Sequence, residues 1–520
     1  MADRLNHPVK SAQHDNGERS TADVLEAELA STGEPVERIE THVSILLFQG
    51  DWAYKVKRPV RFEFVDQSLP AFRERLCRQE LTLNRRFAPD VYEDVVEVHD
   101  REGRVIDHAV KMRRMPAERQ LRTLARNQNP DAPRCLRGVA RAAAIFHAAA
   151  PRNPDIDRTG DPTFAERLWQ RTLDDLAQFV PNVIAPEVLD DIQRSSSRFI
   201  AGRTPLFAQR VHERAIVDGH GDLLAADIYC LADGPRILDC LEFDDQLRFG
   251  DVLLDVAFLV MDLEHLGRSD LADEFMRAYV EFSGEHHPAR LLNFYVAYRA
   301  LVRAKIACLR VREDPDSNQE ALSLLLLTTR HLQAATVTLT VVGGLPGSGK
   351  STVAAQIATR RSAVVLNSDV LRKELTGMVG TSAVNAFNTG IYTPDTTAAT
   401  YDEILRRAGV ALGLGESVVL DATFAARQWR DAAEDLAART HSDFQQIRCV
   451  CPTEVRNARL RQRRHDGSEP SDATVDIATQ MERSVDPWPD ATDLDTSRPV
   501  DKSIAALSVA GLSAAGRWKR

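Results

Sequence analysis

The residues with the clearest chemical purpose lie at 343–352, "GGLPGSGKST". Gly344, Gly349, Lys350 and Ser351 fit G-x-x-x-x-G-K-[ST], with Leu345, Pro346, Gly347 and Ser348 inside the loop and Thr352 following it. An apolar run, "VTLTVV", leads in and a helical pattern leads out, which is the context this loop needs. Its glycines let backbone N–H groups turn around a phosphate, and the helix N-terminus adds partial positive charge. Lys350 can reach the β and γ phosphates of a nucleotide, and the Ser351 hydroxyl can take a place on Mg²⁺. ATP and Mg²⁺ are therefore the expected cofactors.

Further candidates follow the loop. "LNSDVLRKEL" places Asp369 and Arg372 at the C-terminal edge of a strand, where ligands of open α/β sheets bind. Asp369 could act as general base toward an acceptor hydroxyl, with Arg372 as clamp; an N-cap role competes for Asp369. "VVLDATF" ends a strand on Asp421, a candidate for the Mg²⁺ shell with the same competing cap role. In "EVRNARLRQRRHDGSEPSDA", Arg456, Arg459 and Arg463 share one helical face. Arg459 and Arg463 are candidates for a lid over the phosphates; a solvated charged face is the plainer alternative.

A second constellation lies in the first 330 residues. A helix predicted over 69–87 has its apolar stripe at Leu69, Phe72, Leu76, Leu83 and Phe87, and the position completing that stripe is Glu80. A buried carboxylate needs a partner. "WAYKVKRPV" offers Lys55 and Lys57 on one strand face, and the spacing leaves open which of them pairs with Glu80. "VDGHGDLLAADIYCLADGPRILDCLEFDD" holds Asp222 and Asp227, then a hairpin predicted to turn near Asp233 and Gly234. That register sets Asp227 opposite Cys240, so Asp222, Asp227 and either Glu242 or Asp239 can surround one cation. Ligands that are all carboxylate oxygen suit Mg²⁺ carrying nucleotide phosphates. Asp222 is the candidate to take or position the acceptor's proton.

The elements that must hold these residues fall into two rhythms. Short β runs with one helix (40–115) precede mostly helical stretches (135–205 and 250–335) around a β island at 215–243. From about 336, strands and helices alternate, which indicates a parallel α/β sheet. Four parts are expected: a flexible tail, 1–22; a first domain, 23–333; a second, 336–500; and a tail, 501–520. At 520 residues the chain exceeds one ordinary core. Acidic residues outnumber basic ones, 76 to 66, so a general nucleic-acid or membrane-surface binder is disfavoured, although a nucleic-acid end as acceptor stays open. No segment is long and apolar enough to span a bilayer. Seven cysteines with no CxxC pair suit reduced thiols in a cytoplasm, and "CVC" at 449–451 reads as core packing.

"GLPGSGKST", "SDVLRKEL", "VVLDATF" and "RLRQRRHDGSEPSDA" resemble small P-loop kinases of the gluconate kinase, polynucleotide kinase and zeta-toxin kind. His220, Gly221, Asp222 and Leu223 resemble the "HGDLHxxN" loop of the aminoglycoside phosphotransferase family, relatives of protein kinases, with Leu224 in place of its second His and Asp227 in place of its Asn. That resemblance implies a Lys55–Glu80 ion pair and an adenine-facing hinge in "VKMRRM" around Met112. It also implies Glu242 at the usual metal-ligand position with Asp239 as rival, and a bracing aspartate in "GDVLLDVAFL". It does not bring an aminoglycoside acceptor with it. The whole chain resembles bacterial two-domain predicted kinases: an α+β protein-kinase-like bilobal domain, then an α/β P-loop NTPase domain with a parallel sheet. The implied activity is ATP-dependent phosphate transfer to a small-molecule acceptor at two Mg·ATP sites. The alternative is an N-terminal pseudokinase that binds nucleotide and gates a single C-terminal kinase.

Overall fold

In the computed structural model, residues 20–41, 43–61, 65–284, 288–311, 314–377, 393–466 and 474–500 are described, without the side chains of 463–466. The expected C-terminal tail, most of the N-terminal one and the "GSEPSDA" stretch lie outside them. The chain divides into two compact units, 1–197 with 207–335, and 198–206 with 336–520. The segment 198–206, read as part of the N-terminal domain, thus groups with the C-terminal unit.

The N-terminal unit opens with α1 (Thr21–Ala30), where a tail had been expected up to residue 22. Ser20 and Asp23 close a capping box there, a local signal that starts the helix. Then come β1 (Glu37–Glu40), β2 (Ser44–Gln49), β3 (Trp52–Lys57), α2 (Pro70–Asn84), β4 (Tyr92–His99) and β5 (Val105–Arg113). The strands form one antiparallel sheet in the order β1-β2-β3-β5-β4, against which α2 packs. α2 is shorter than the predicted 69–87. Pro70 sets its first turn, Leu69 is the exposed cap residue, and the chain has left the helix before Phe87.

The rest of this unit is mostly helical: α3 (Leu121–Arg126), α4 (Asp131–Ala149), α5 (Pro154–Asp157), α6 (Pro162–Ala177), α7 (Pro186–Gly202) and α8 (Thr204–His212) come first. β6 (Ile216–Asp218), β7 (Ile228–Leu231), β8 (Gly234–Ile237), α9 (Asp245–Arg248) and β9 (Phe249–Asp251) form the β island. α10 (Val252–His265), α11 (Ser269–Ser283), α12 (Ala289–Arg310) and α13 (Ser317–Ala335) complete the unit. α10 is apolar nearly all round and buried from Val252 to Leu263, making it a central core helix. A five-stranded antiparallel sheet with α1 and α2 packed on it, followed by a helical part that carries two-stranded antiparallel sheets and a buried helix, is the protein-kinase-like architecture. One expectation fails here. Cys135 of α4 and Cys230 of β7 form a disulfide, so not every thiol is reduced; the long-range approach of two cysteines 95 residues apart leaves no mark in their local spacing.

The C-terminal unit contains β10 (Thr338–Gly343), α14 (Lys350–Arg361), β11 (Ala363–Asn367), α15 (Ser368–Leu375), α16 (Pro394–Gly413) and β12 (Ser417–Asp421). α17 (Arg427–Arg439), β13 (Asp443–Val450), α18 (Thr453–Asp466), α19 (Val475–Glu482) and β14 (Thr492–Asp495) follow. All five strands are parallel, ordered β11-β12-β10-β13-β14, so the strand leading into the glycine loop is central. Strands such as "TLTVVG" and "SVVLD" are buried almost throughout, as both-face coverage requires. Separate apolar clusters line the two faces of the sheet, one around Val341, Leu420, Phe424 and Trp488, the other around Val342, Val353 and Val419. Among the described residues no helix is long and apolar enough to cross a membrane.

Candidate nucleotide and acceptor sites

In the N-terminal unit, strand alternation brings Lys55 and Lys57 onto one face of β3, and Glu80 rises from α2 beneath them. Glu80 forms ion pairs with both: Lys55 Nζ lies 2.9 Å from Oε1, and Lys57 Nζ donates to Oε2 at 2.7 Å. The question of which lysine pairs is thereby answered by a shared carboxylate. Each lysine then reaches a different second acid, Lys55 to Asp239 Oδ1 at 2.7 Å and Lys57 to Glu242 Oε1 at 2.6 Å. Burial opposes the charge on Lys55, but Asp239 and Glu80 outweigh it and hold the ammonium firmly protonated. Burial likewise opposes ionisation of Asp239, and Lys55 again outweighs it, keeping the carboxyl well below its usual range.

The hairpin register differs from prediction. Leu231 pairs with Gly234 and Ile228 with Ile237, so the turn is Ala232-Asp233 and Asp227 stands opposite Leu238, not Cys240. Side chains alternate with period two, so displacing the partner by two residues leaves the face unchanged. Asp227 still shares its surroundings with Asp239 and Asp222, and its carboxyl is pushed up to about 7, first by burial and then by the charge of Asp239. Asp239 itself adopts φ 63°, a left-handed backbone that Asp tolerates. Both candidates for the metal position hold a lysine, Glu242 accepting from Lys57 and Asp239 from Lys55, and the charge of Asp239 acts on Asp227. Among the described residues no three acidic, His or Cys side chains close into a ready-made cation cage. Two mutually repelling carboxylates nevertheless fit a Mg²⁺ ion that takes its remaining ligands from phosphate and water.

Asp222 is buried in the loop between β6 and β7. The loop's shape is set by Asp255 of α10, which accepts from the His220 amide at 2.9 Å and the Gly221 amide at 2.8 Å. His147 Nε2 lies 3.0 Å from the same carboxylate, and its Nδ1 meets the Tyr279 hydroxyl at 2.7 Å. The brace expected in "GDVLLDVAFL" is thus Asp255, while Asp251 caps α10 and pairs with Arg210. Gly221 has φ 83°, a left-handed backbone that favours glycine, and a Cβ there would sit tightly, 3.2 Å from the Leu241 side chain and 3.3 Å from the Arg248 backbone. Met112 lies near the end of β5 in an apolar cluster with Ala53, Tyr92 and Leu238. Sequence reasoning missed Asn84, whose Oδ1 accepts from the Cys240 amide at 2.8 Å and anchors the segment after the hairpin to α2. It also missed His147 and Tyr279.

In the C-terminal unit, residues 344–349 form the turn from β10, and Lys350, Ser351 and Thr352 open α14, whose first amides have no intrahelical acceptor. Gly344 has φ 141°, and a Cβ there would sit 2.7 Å from the Cys449 carbonyl oxygen and from Ser348 Oγ. Lys350 is buried, and it and Asp421 both act on the neighbouring Cys449 thiol, which burial raises to about 12. Asp421 ends β12 beside Val342, the residue before the loop's first glycine pair. Its Oδ2 accepts from Asn367 Nδ2 at 2.6 Å, whereas its buried Oδ1 has no partner among the described residues. That orphan oxygen, at the end of the strand next to the one that leads into the loop, fits a Mg²⁺ shell that Ser351 would complete. Asp421 caps no helix, because α17 begins later with Ala426 at its cap.

Asp369 is not a cap either: Asn367 caps α15, accepting from the Asp369 and Val370 amides. Asp369 Oδ1 instead takes a 2.7 Å bond from Arg372 Nη1 on the same helix. Arg459 reaches the loop, with Nη1 3.5 Å from the Gly347 carbonyl and Nη2 2.7 Å from the Thr496 carbonyl, while Arg456 pairs with Glu482 at 2.9 Å. The two therefore share a helix but not a role. The Arg463 side chain lies outside the described residues. Thr496, which the sequence did not single out, donates to the Ser348 carbonyl at 2.6 Å and buttresses the loop from the end of β14.

These geometries define a class: a protein-kinase-like unit joined to a P-loop nucleotide-binding domain. The family described as "AAA domain" (AAA_33) matches residues 339–488. Rv2004c, an uncharacterised protein of Mycobacterium tuberculosis, is 39% identical over 476 residues, covering 91% of this chain and 95% of its own; Mb2027c of Mycobacterium bovis matches equally. The chain belongs to the family of these mycobacterial proteins. Among solved structures, a choline/ethanolamine kinase family protein from Mesorhizobium loti is 18% identical, covering 61% of this chain and 99% of that one, with a TM-score of 0.39. The Mycobacterium tuberculosis APS kinase CysC, in complex with AMPPNP and APS, is 21% identical, covering 35% and 98%, with a TM-score of 0.26.

Proposed function

We propose that this chain is an ATP-dependent phosphotransferase with two Mg·ATP sites, each passing the γ-phosphate to a hydroxyl of a small-molecule acceptor. The observation that carries the reading is that each unit buries a lysine in its candidate phosphate site, Lys55 against Glu80 and Asp239 and Lys350 at the head of α14, while the strand-end Asp421 keeps an oxygen with no partner among the described residues. In the N-terminal site, Lys55, steadied by Glu80, holds phosphate oxygens; Asp239 and Asp227 would hold the metal; and Asp222 takes the acceptor proton. In the C-terminal site the loop amides and Lys350 hold the phosphates, Ser351 and Asp421 would hold the metal, and Asp369, oriented by Arg372, takes the proton. The bound metal ions would neutralise charge that develops on the transferring phosphoryl group.

A second reading, in which the N-terminal site binds nucleotide without transfer and gates the other, is favoured by one observation: Asp227, where the resemblance has Asn, carries charge that must be neutralised before phosphates enter. Titration with AMPPNP and transfer assays with labelled ATP over a metabolite pool separate the two. The full chain should bind two nucleotides and Lys350→Ala one. Asp222→Ala should still bind two yet lose Lys350-independent transfer by about 10²–10⁴-fold. If transfer survives Lys350→Ala and Asp222→Ala combined, the proposal fails; if Lys350→Ala alone removes all transfer while one nucleotide stays bound, the gating reading is correct.

A further inference from the structure

Asn367 stands between two parts of the C-terminal site, and its single side chain touches both. It ends β11 as Asp421 ends β12, and the two are register partners on neighbouring parallel strands. Partners across a strand pair share a face of the sheet, and so do residues two apart along a strand. Asn367 and Asp421 therefore lie on the face of Val419, which packs in one cluster with Val353 and Ile357 of α14. That face is covered by the helix that opens with Lys350 and Ser351.

The carbonyl end of the Asn367 amide accepts from the backbone amides of Asp369 at 2.9 Å and Val370 at 3.0 Å, capping α15. Those two bonds fix which end of the side chain is oxygen and turn its Nδ2 toward Asp421, where it donates to Oδ2 at 2.6 Å. One oxygen of the buried Asp421 carboxylate is thereby held, while Oδ1 has no partner among the described residues. A buried acceptor left unmet is costly, and a carboxylate anchored through one oxygen is set to meet a cation through the other. Among the residues that cap helices well, asparagine alone accepts through one side-chain atom and donates through another. Aspartate would bring a second negative charge to Asp421, and serine or threonine has a single oxygen for both tasks.

We propose that Asn367 is a positioning residue of the C-terminal site: it presents Asp421 Oδ1 to the metal that accompanies the nucleotide, and it ties that carboxylate to the helix of Asp369 and Arg372. This rests on the phosphotransferase reading above, and the test separates the two. Full-length protein is titrated with AMPPNP by calorimetry at stepped Mg²⁺ concentrations, following the binding step that Lys350→Ala removes. If Lys350→Ala removes no step, the parent reading fails and this one with it. Asn367→Ser keeps a capping oxygen but loses the donor to Asp421, whereas Asn367→Ala loses both. Each variant is expected to need about 10–100-fold more Mg²⁺ to tighten that step, with metal-free AMPPNP affinity changed by less than about twofold. Thermal melts show whether each variant folds, and the serine variant carries the test if the alanine one does not. A wild-type Mg²⁺ requirement in Asn367→Ser, with the Lys350-dependent step intact, overturns the proposal and leaves the parent reading standing; Asn367 is then a helix cap and no more. An equal loss of AMPPNP affinity with and without Mg²⁺ overturns it too, because Asn367 would then shape the phosphate loop and not the metal carboxylate.

Discussion

At the residue scale the decisive features are charges without full compensation. Asp227 is the clearest. Its carboxyl in the folded protein sits near 7 because burial and Asp239 both oppose ionisation. The folded value exceeds the unfolded one, so the stability it contributes is complete below about pH 4 and is lost as pH rises through 7. Asp227→Asn should therefore leave metal-free protein unchanged near pH 4.5 and stabilise it at pH 8 by roughly 1–2 kcal/mol, less than the full linkage because the side chain is only half-buried. Melts across that range check this; equal effects at both ends would show that Asp227 ionises freely. The residue pattern made Asp222, Asp227 and Lys55 legible. It could not rank Glu242 against Asp239, because both lie on the same short segment and each is seated on a lysine, Glu242 on Lys57 and Asp239 on Lys55.

At the element scale, local signals worked where a segment's conformation depends on its own sequence. The loop 344–351 is readable because glycines, lysine and hydroxyl all serve one ligand within one turn. Its geometry also predicts an asymmetry between glycines. Gly344→Ala meets both an unfavourable φ of 141° and a Cys449 oxygen 2.7 Å away, so it should weaken nucleotide binding in the C-terminal unit by about tenfold or more and cost about 1–3 kcal/mol. Gly267→Ala, at φ 76° with nothing within 4 Å, should cost only about 1 kcal/mol and leave binding alone. Calorimetry and melts on both variants check this. Element ends were less legible: α2 stops before Phe87 and the hairpin turns one residue early, since the apolar stripe and the turn residues each allowed a neighbouring solution.

At the scale of the whole molecule, the chain joins two unrelated folds, and the proposed function gives each the same physical task, gripping a triphosphate. The Cys135–Cys230 link ties α4 to the hairpin that follows Asp227. Thiol titration of denatured, unreduced protein should find five free thiols of the seven cysteines. Reducing the pair should destabilise the N-terminal unit by roughly 2–5 kcal/mol, given the long loop it closes. Seven reactive thiols would mean that the two sulfurs meet without bonding.

What the sequence determined by itself was whatever is written at short range: a phosphate loop between strand and helix, a carboxylate completing a helical stripe, an acidic loop before a hairpin, and the change from mixed to alternating elements near residue 336. The tertiary structure alone decided the shared Glu80, the partner of each lysine, the disulfide and the brace of Asp255, His147 and Tyr279 behind the Asp222 loop. Those pairings join segments many tens of residues apart, and burial, not spacing, selects them. Periodicity reports which side of an element faces inward, but not what it meets there.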